Sequence, residues 1–211
     1  MRLYSFFRSS AAFRVRIALN LKGVDYETVS VGLPSDEHRR AAFLAVNPQA
    51  TVPAIDDDGV VLAQSLAIIE YLDARFPSPR LIPAEPVARA RVQWLAQLIA
   101  CEIHPLNNLR VRRHLARELG LDDAAVERWQ RHWIEEGFTA LEALLARWSG
   151  GRYCFGAAVS LADVCLVPQV YNARYLACDL APYPTLARIA EALAREPAFA
   201  RAAPEAQPDR A

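Results

Sequence analysis

Strand signals stop beyond Pro86 in this chain, and that change restricts its fold more than any other feature. Residues 3–7 read as a short apolar strand that runs into a helix over 9–21, with Gly23 as its stop. Residues 26–31 form a second strand pattern, rich in side chains that suit a pleat. A polar segment over 35–47 follows, either a helix or an irregular turn. A third strand starts after Pro53, and Asp57-Asp58-Gly59 marks a hairpin because glycine tolerates positive φ. The returning strand covers 60–63, and Ile68, Ile69 and Leu72 give 66–75 a helical face. The order β-α-β-α-β-β-α predicts a small mixed sheet with helices on its faces. Pro77, Pro79 and Pro83 then interrupt helix formation and form a linker.

Past the linker only helical patterns remain. They run from 87 to near 119 with a bend at Pro105, then over 122–145, from 161 to near 176, and over 184–196. Ser160-Leu-Ala-Asp163 fits a capping box, although Asp is shorter than the usual Glu. The tail after Pro204 is polar and is expected to be loosely held. The expected architecture is α/β plus all-α, with one domain over 1–80 and an all-helical one over 86–211.

Charge narrows the partners. Basic and acidic residues number 24 each, so nothing points to nucleic acid or a membrane surface. No apolar run approaches the roughly 20 residues of a membrane span, and the start lacks the features of a signal peptide. Cys101, Cys154, Cys165 and Cys178 show no CxxC pair and no disulfide framework, and no metal-site spacing is present. A reduced, cytoplasmic protein without metal is expected.

The stretch Arg8-Ser-Ser-Ala-Ala-Phe-Arg-Val-Arg-Ile-Ala-Leu-Asn20 carries the first functional signal. Phe13, Ile17 and Leu21 repeat along one helical face, with Ala18 beside them. Ser9 or Ser10 is a natural N-cap, and a hydroxyl at the positive end of a helix can hold an anion.

Several segments resemble the cytosolic glutathione transferases: Val52-Pro53 before a strand, Gln64-Ser65 opening a helix, and the helical second half. Ser9-Ser10-Ala11-Ala12-Phe13-Arg14-Val15-Arg16-Ile17-Ala18-Leu19 is similar to the zeta-class signature SSCxWRVRIAL, with Ala11 for its cysteine and Phe13 for its tryptophan. Asn47-Pro-Gln49, residues 64–72, 161–169 and 179–184 match zeta proteins too, and His104 and the ending Ala203-Pro-Glu-Ala-Gln-Pro-Asp209 look closest to bacterial maleylpyruvate isomerases.

The resemblance implies a thioredoxin-like, glutathione-binding first domain, a helical substrate-binding domain and a homodimer. It also implies glutathione-dependent cis–trans isomerisation of a maleyl-type dicarboxylate, maleylacetoacetate or maleylpyruvate. Glutathione is the implied cofactor, because a thiolate that adds to the alkene carbon frees its bond to rotate and is then expelled. The implied glutathione contacts are Ser9, Ser10, Ala11, His38, Val52 in a cis peptide with Pro53, Gln64, Ser65, His104, Asn108, Leu109 and Arg110. Ser9, Arg8 and Arg110 are the implied catalytic residues. Arg8 and Arg110 would bind the two carboxylates, since the guanidinium fork can bind bidentately.

A third family arginine aligns with Tyr175, and Arg174 beside it is the candidate substitute. Arg14 either orients the loop or pairs with an acid. His38 would reach the glycyl end of glutathione or sit in an exposed loop. His104 and Asn108 share a helix face if the helix survives Pro105. Two rival readings accompany the isomerase: a transferase conjugating small electrophilic or halogenated acids, and a non-catalytic glutathione-binding module.

Overall fold

A computed structural model describes residues 1–210. The chain forms two compact units, Met1–Arg80 together with the C-terminal segment from Arg195, and Leu81–Ala194. The first begins with β1 (Arg2–Ser5), α1 (Ser10–Lys22) and β2 (Glu27–Ser30). A 3₁₀ turn at Glu37–Arg39 and the single turn α2 (Ala41–Leu44) occupy the polar segment, followed by β3 (Ala54–Asp57), β4 (Val60–Ala63) and α3 (Ser65–Arg75). The sheet order is β2-β1-β3-β4, with β1 parallel to β2 and antiparallel to β3. The predicted hairpin is present: Asp58 (φ 52°) and Gly59 (φ 91°) both take positive φ between β3 and β4.

Both faces of the sheet are covered. Leu3 and Ile55 are buried, as are Val15, Ile17, Leu19, Ile68, Ile69 and Leu72 of α1 and α3. A smaller cluster of Val31, Phe43 and Val52 is joined by Tyr4 and Phe6, whose side chains leave β1 and its end on alternate positions.

The remaining helices are α4 (Pro86–Gln97), α5 (Leu109–Arg117), α6 (Asp123–Trp148), α7 (Leu161–Tyr175), α8 (Pro184–Ala194) and α9 (Pro197–Ala202). The tail is not loose, and this corrects two expectations. From Arg195 it belongs to the first unit, so the helical unit ends near Ala194 instead of reaching the terminus. Asn20 Nδ2 donates to the Ala198 carbonyl at 2.9 Å and Arg16 Nε to that of Ala202 at 2.9 Å, and beyond Pro204 Gln207 is buried and Asp209 Oδ2 accepts the Phe7 amide at 2.9 Å. With α9 on its outer side, α1 is buried nearly all round, where the pattern predicted one apolar face.

The second unit packs α4, α6, α7 and α8 around Val92, Leu95, Ile134, Phe138, Leu141, Leu166 and Ile189, all buried. Asp122 caps α6 by accepting the Ala125 amide at 2.7 Å, and Glu85 caps α4. The predicted capping box is met: Asp163 Oδ2 accepts the Ser160 amide at 2.8 Å and Oδ1 the Cys154 amide at 2.8 Å. The helix expected from 87 to near 119 is interrupted. After α4 the chain takes a π turn (Leu98–Ile103) and a 3₁₀ turn (His104–Asn107) before α5 starts. Pro105 cannot donate to the helical ladder. Gly137 of α6 has no side chain where the π turn approaches, since a Cβ there would meet Ile103 Cγ1 at 2.2 Å.

Candidate active site

In the first unit, two helix N-termini carry the candidate residues. Ser9 is the N-cap of α1, with φ −68° and ψ 114°, and its Oγ accepts the Ala12 amide at 3.2 Å. Its amide donates to the Phe6 carbonyl at 2.9 Å and its carbonyl accepts from Phe13 at 2.8 Å, so the backbone around the hydroxyl is fixed. Capping uses one acceptor position of the hydroxyl. A serine hydroxyl also carries a proton that it can donate, so capping and donation to an anion are compatible. Ser10 is buried in the first turn and Ala11 half-buried beside it. Arg8 is exposed immediately before the cap.

The other N-terminus is that of α3. Its cap position is Gln64, held at φ 70° and ψ 113°, an arrangement that costs a non-glycine residue about 1–3 kcal/mol. No side chain among the described residues caps this helix, so its leading amides face outward from an N-terminus with a favourable field for a carboxylate. Ser65 is not the cap. It is buried inside the first turn, and its Oγ accepts from Arg14 Nη1 at 3.3 Å. Arg14 thereby links α1 to α3. Gln64 Nε2 donates to Gln49 Oε1 at 3.0 Å, a neighbour that sequence reasoning missed although the Asn47-Pro-Gln motif contained it.

Asn47 holds that loop, donating to the Thr51 carbonyl at 2.7 Å and accepting the Gln49 amide at 3.1 Å. Val52-Pro53 is cis, as expected, and Ser78-Pro79 is cis as well. His38 is 6% exposed with Nε2 3.8 Å from Asp36 Oδ1, so the exposed-loop alternative fails.

In the second unit His104 and Asn108 do not share a helix face. His104 opens the 3₁₀ turn, whereas Asn108 takes extended φ/ψ and caps α5, accepting the Val111 amide at 3.3 Å. An Asn ahead of a new helical run was the available signal. Leu109 and Arg110 form the first turn of α5, Arg110 being exposed. Asn107, unnoticed in the sequence, organises this segment. It is buried, donates to the Ile103 carbonyl at 2.8 Å, and accepts from Asn172 Nδ2 at 2.9 Å through its side chain and from Gln130 Nε2 at 3.1 Å through its carbonyl.

That network also decides Arg174. Asn172 marks the side of α7 facing Asn107, and Arg174 stands about 200° around the helix from it, whereas Tyr175 stands about 60° away. Arg174 instead donates to Glu191 Oε1 at 2.7 Å in an exposed ion pair, so the structure does not bring it to the His104–Arg110 segment.

Residues 3–80 match the glutathione S-transferase N-terminal domain and 123–195 the C-terminal domain. A probable maleylacetoacetate isomerase of Vibrio cholerae is 52% identical, covering 98% of this chain and 97% of its own. The chain belongs to the zeta class of the glutathione S-transferases. A solved bacterial zeta-class transferase, a maleylpyruvate isomerase in its holo form, is 50% identical with a TM-score of 0.97, covering 99% of both chains. A maleylacetoacetate isomerase of Methylobacterium extorquens, solved with malonate and glutathione bound, is 44% identical with a TM-score of 0.92, covering 99% of this chain and 98% of its own. Among the described residues of this zeta-class chain there is no metal-ligand cluster and no helix long and apolar enough to cross a membrane.

Proposed function

We propose that this chain is a glutathione-dependent cis–trans isomerase of maleyl-type dicarboxylates, converting maleylacetoacetate or maleylpyruvate to the fumaryl isomer. The observation that carries the reading is the Ser9 hydroxyl, fixed by its capping bond at the positive end of α1 and still able to donate. Its relatives named as isomerases at full length, one of them solved with glutathione and a dicarboxylate, support the same reading.

The residues present fit glutathione. The N-terminus of α3, without a side-chain cap, suits its γ-glutamyl carboxylate, with Gln64 and Ser65 beside it. Val52 leads into β3 and is assigned to the peptide backbone of the cofactor, and His38 to its glycyl end. When bound, glutathione supplies a thiolate that adds to an alkene carbon and leaves after rotation about the resulting single bond. Ser9 donates to that sulfur and holds it ionised, with Ser10 and Ala11 lining the same turn. On the family resemblance, Arg8 and Arg110 are assigned to the two substrate carboxylates, and His104, Asn108 and Leu109 to further cofactor contacts.

A cytoplasmic homodimer fits the reading. Val87 and Trp94 on α4 are 55% exposed each, and burying them on a second copy would remove apolar surface from water. Sedimentation of wild type against Trp94→Asp tests it: a wild-type monomer would refute the dimer.

Turnover of both substrates with and without glutathione tests the function. Glutathione-dependent isomerisation of one is expected, and none of either would overturn the reading. Preference for neutral aromatic electrophiles would favour a conjugating transferase, and an inert protein that binds glutathione would favour a binding module.

A further inference from the structure

The backbone that presents Arg8 and Ser9 lies beyond the sheet. Register between β1 and β2 ends at Ser5 opposite Ser30, so the ladder does not hold Phe6 to Ser9. Besides the turn bond from the Ser9 amide to the Phe6 carbonyl, two charged side chains hold it. Asp209 Oδ2 accepts the Phe7 amide at 2.9 Å across 202 residues of sequence, and also the Ser30 hydroxyl at 3.2 Å. Arg16 Nη2 donates to the Phe7 carbonyl at 2.9 Å, and Nη1 to Ser5 Oγ at 3.0 Å. Both polar groups of Phe7 are therefore held by opposite charges that also attract one another.

Arg16 is fully buried and ties the same assembly to α9 through the Ala202 carbonyl. Burial pulls its pKa down to about 10, still far above neutrality, so the guanidinium remains charged. Gln207 Nε2, donating to the carbonyls of Arg201 and Ala203 at 2.9 Å each, fixes the turn between α9 and Asp209. Oδ1 of Asp209 is buried with no hydrogen-bond donor among the described residues. An apolar contact would fasten a tail without leaving such an oxygen unsatisfied, so the arrangement points to a task at the loop.

We propose that the C-terminal segment is a strap over the active-site loop, and that Asp209 is a positioning residue fixing the backbone from which Arg8 and Ser9 act. The inference rests on the proposed function for what the loop binds, but the anchoring can be measured without turnover. Asp209→Ala leaves the Phe7 amide without its charged acceptor, Asp209→Asn keeps an acceptor without the charge, and Asp209→Glu restores the charge on a longer arm. Amide hydrogen exchange over residues 6–9 should quicken about ten- to a hundredfold in Asp209→Ala, less in the other two, while α6 is unchanged.

On the isomerase reading, kcat of Asp209→Ala falls about tenfold, the pH at which bound glutathione ionises rises, and Asp209→Glu recovers part of both. Unchanged loop exchange in Asp209→Ala overturns the strap, as does exchange that rises equally in α6. If Asp209→Ala does not fold, the same comparison in Asp209→Asn decides. A wild type without turnover would refute the isomerase and leave the exchange measurement to judge the strap.

Discussion

Ser9 caps α1 and is proposed to donate to the cofactor sulfur, and different substitutions can separate the two tasks. Replacing an N-cap serine by alanine costs about 1 kcal/mol, whereas glycine costs only a few tenths. For a chain of this size Ser9→Ala should lower the thermal midpoint by about 2–4 °C, and Ser9→Gly by less than about 1 °C. Both substitutions remove the hydroxyl proton. A hydrogen bond to a charged partner is worth about 1.5–3 kcal/mol, so both should lower kcat/KM by roughly ten- to a hundredfold. The donor favours the ionised thiol, so its loss should move the rise of activity with pH upward by about 1–2 pH units in both variants. Ser9→Thr keeps hydroxyl and cap and should retain most activity. Thermal unfolding alongside a pH profile of turnover tests the scheme. If Ser9→Gly is nearly as active as wild type while Ser9→Ala is not, Ser9 only caps and the thiolate assignment is refuted.

Asn107→Ala should cost about 1–3 kcal/mol, because the Ile103 carbonyl and the Asn172 amide lose their partner in a buried place; urea unfolding checks it, and a loss below about 0.5 kcal/mol would count against the network. Arg174→Ala should leave kcat/KM within about twofold and stability within about 1 kcal/mol, since its ion pair with Glu191 is exposed; a large rise in KM for the dicarboxylate would restore it to the site. Burial lifts the Asp163 carboxyl above its ordinary value despite its hydrogen bonds from Cys154 and Ser160. The folded state then binds that proton more tightly than the unfolded one, a stabilisation present below the ordinary carboxyl pKa and lost as pH rises through the lifted value. Asp163→Asn removes the titration, so its deficit in urea midpoint should widen as pH falls from neutral toward about 4; a constant deficit would refute the lifted pKa.

The first unit was legible because its signals are local. Gly23, Pro53 and Asp58-Gly59 each impose a backbone conformation on their own neighbourhood, and the structure has a stop, a strand start and a hairpin there. The α1 helix was only half legible. Periodicity assumes solvent opposite the apolar face, and here α9 supplies protein, bonded to Asn20 across 178 residues. Arg14 and Arg16 of the same helix are 1% and 0% exposed, a burial that helical periodicity does not foretell for arginine. No local pattern announces a partner so distant in sequence.

The candidate site divides along the same line. Ser9 and the α3 terminus could be found because helix N-termini are written into a few adjacent residues. A residue placed by nonlocal bonds could not: Asn107 faces α7 through Asn172, 65 residues away. Arg174 shows how one position decides a role. A helix rotates about 100° per residue, so an arginine beside the aligned position faces away from the segment it was expected to serve, and pairs with Glu191 instead. Arg8 is the converse case. Its place beside Ser9 was evident from sequence order alone, but the direction of the backbone that carries it is set by Asp209 and Arg16 through the peptide groups of Phe7. The sequence thus names the atoms of the site, while the tail decides how they are aimed.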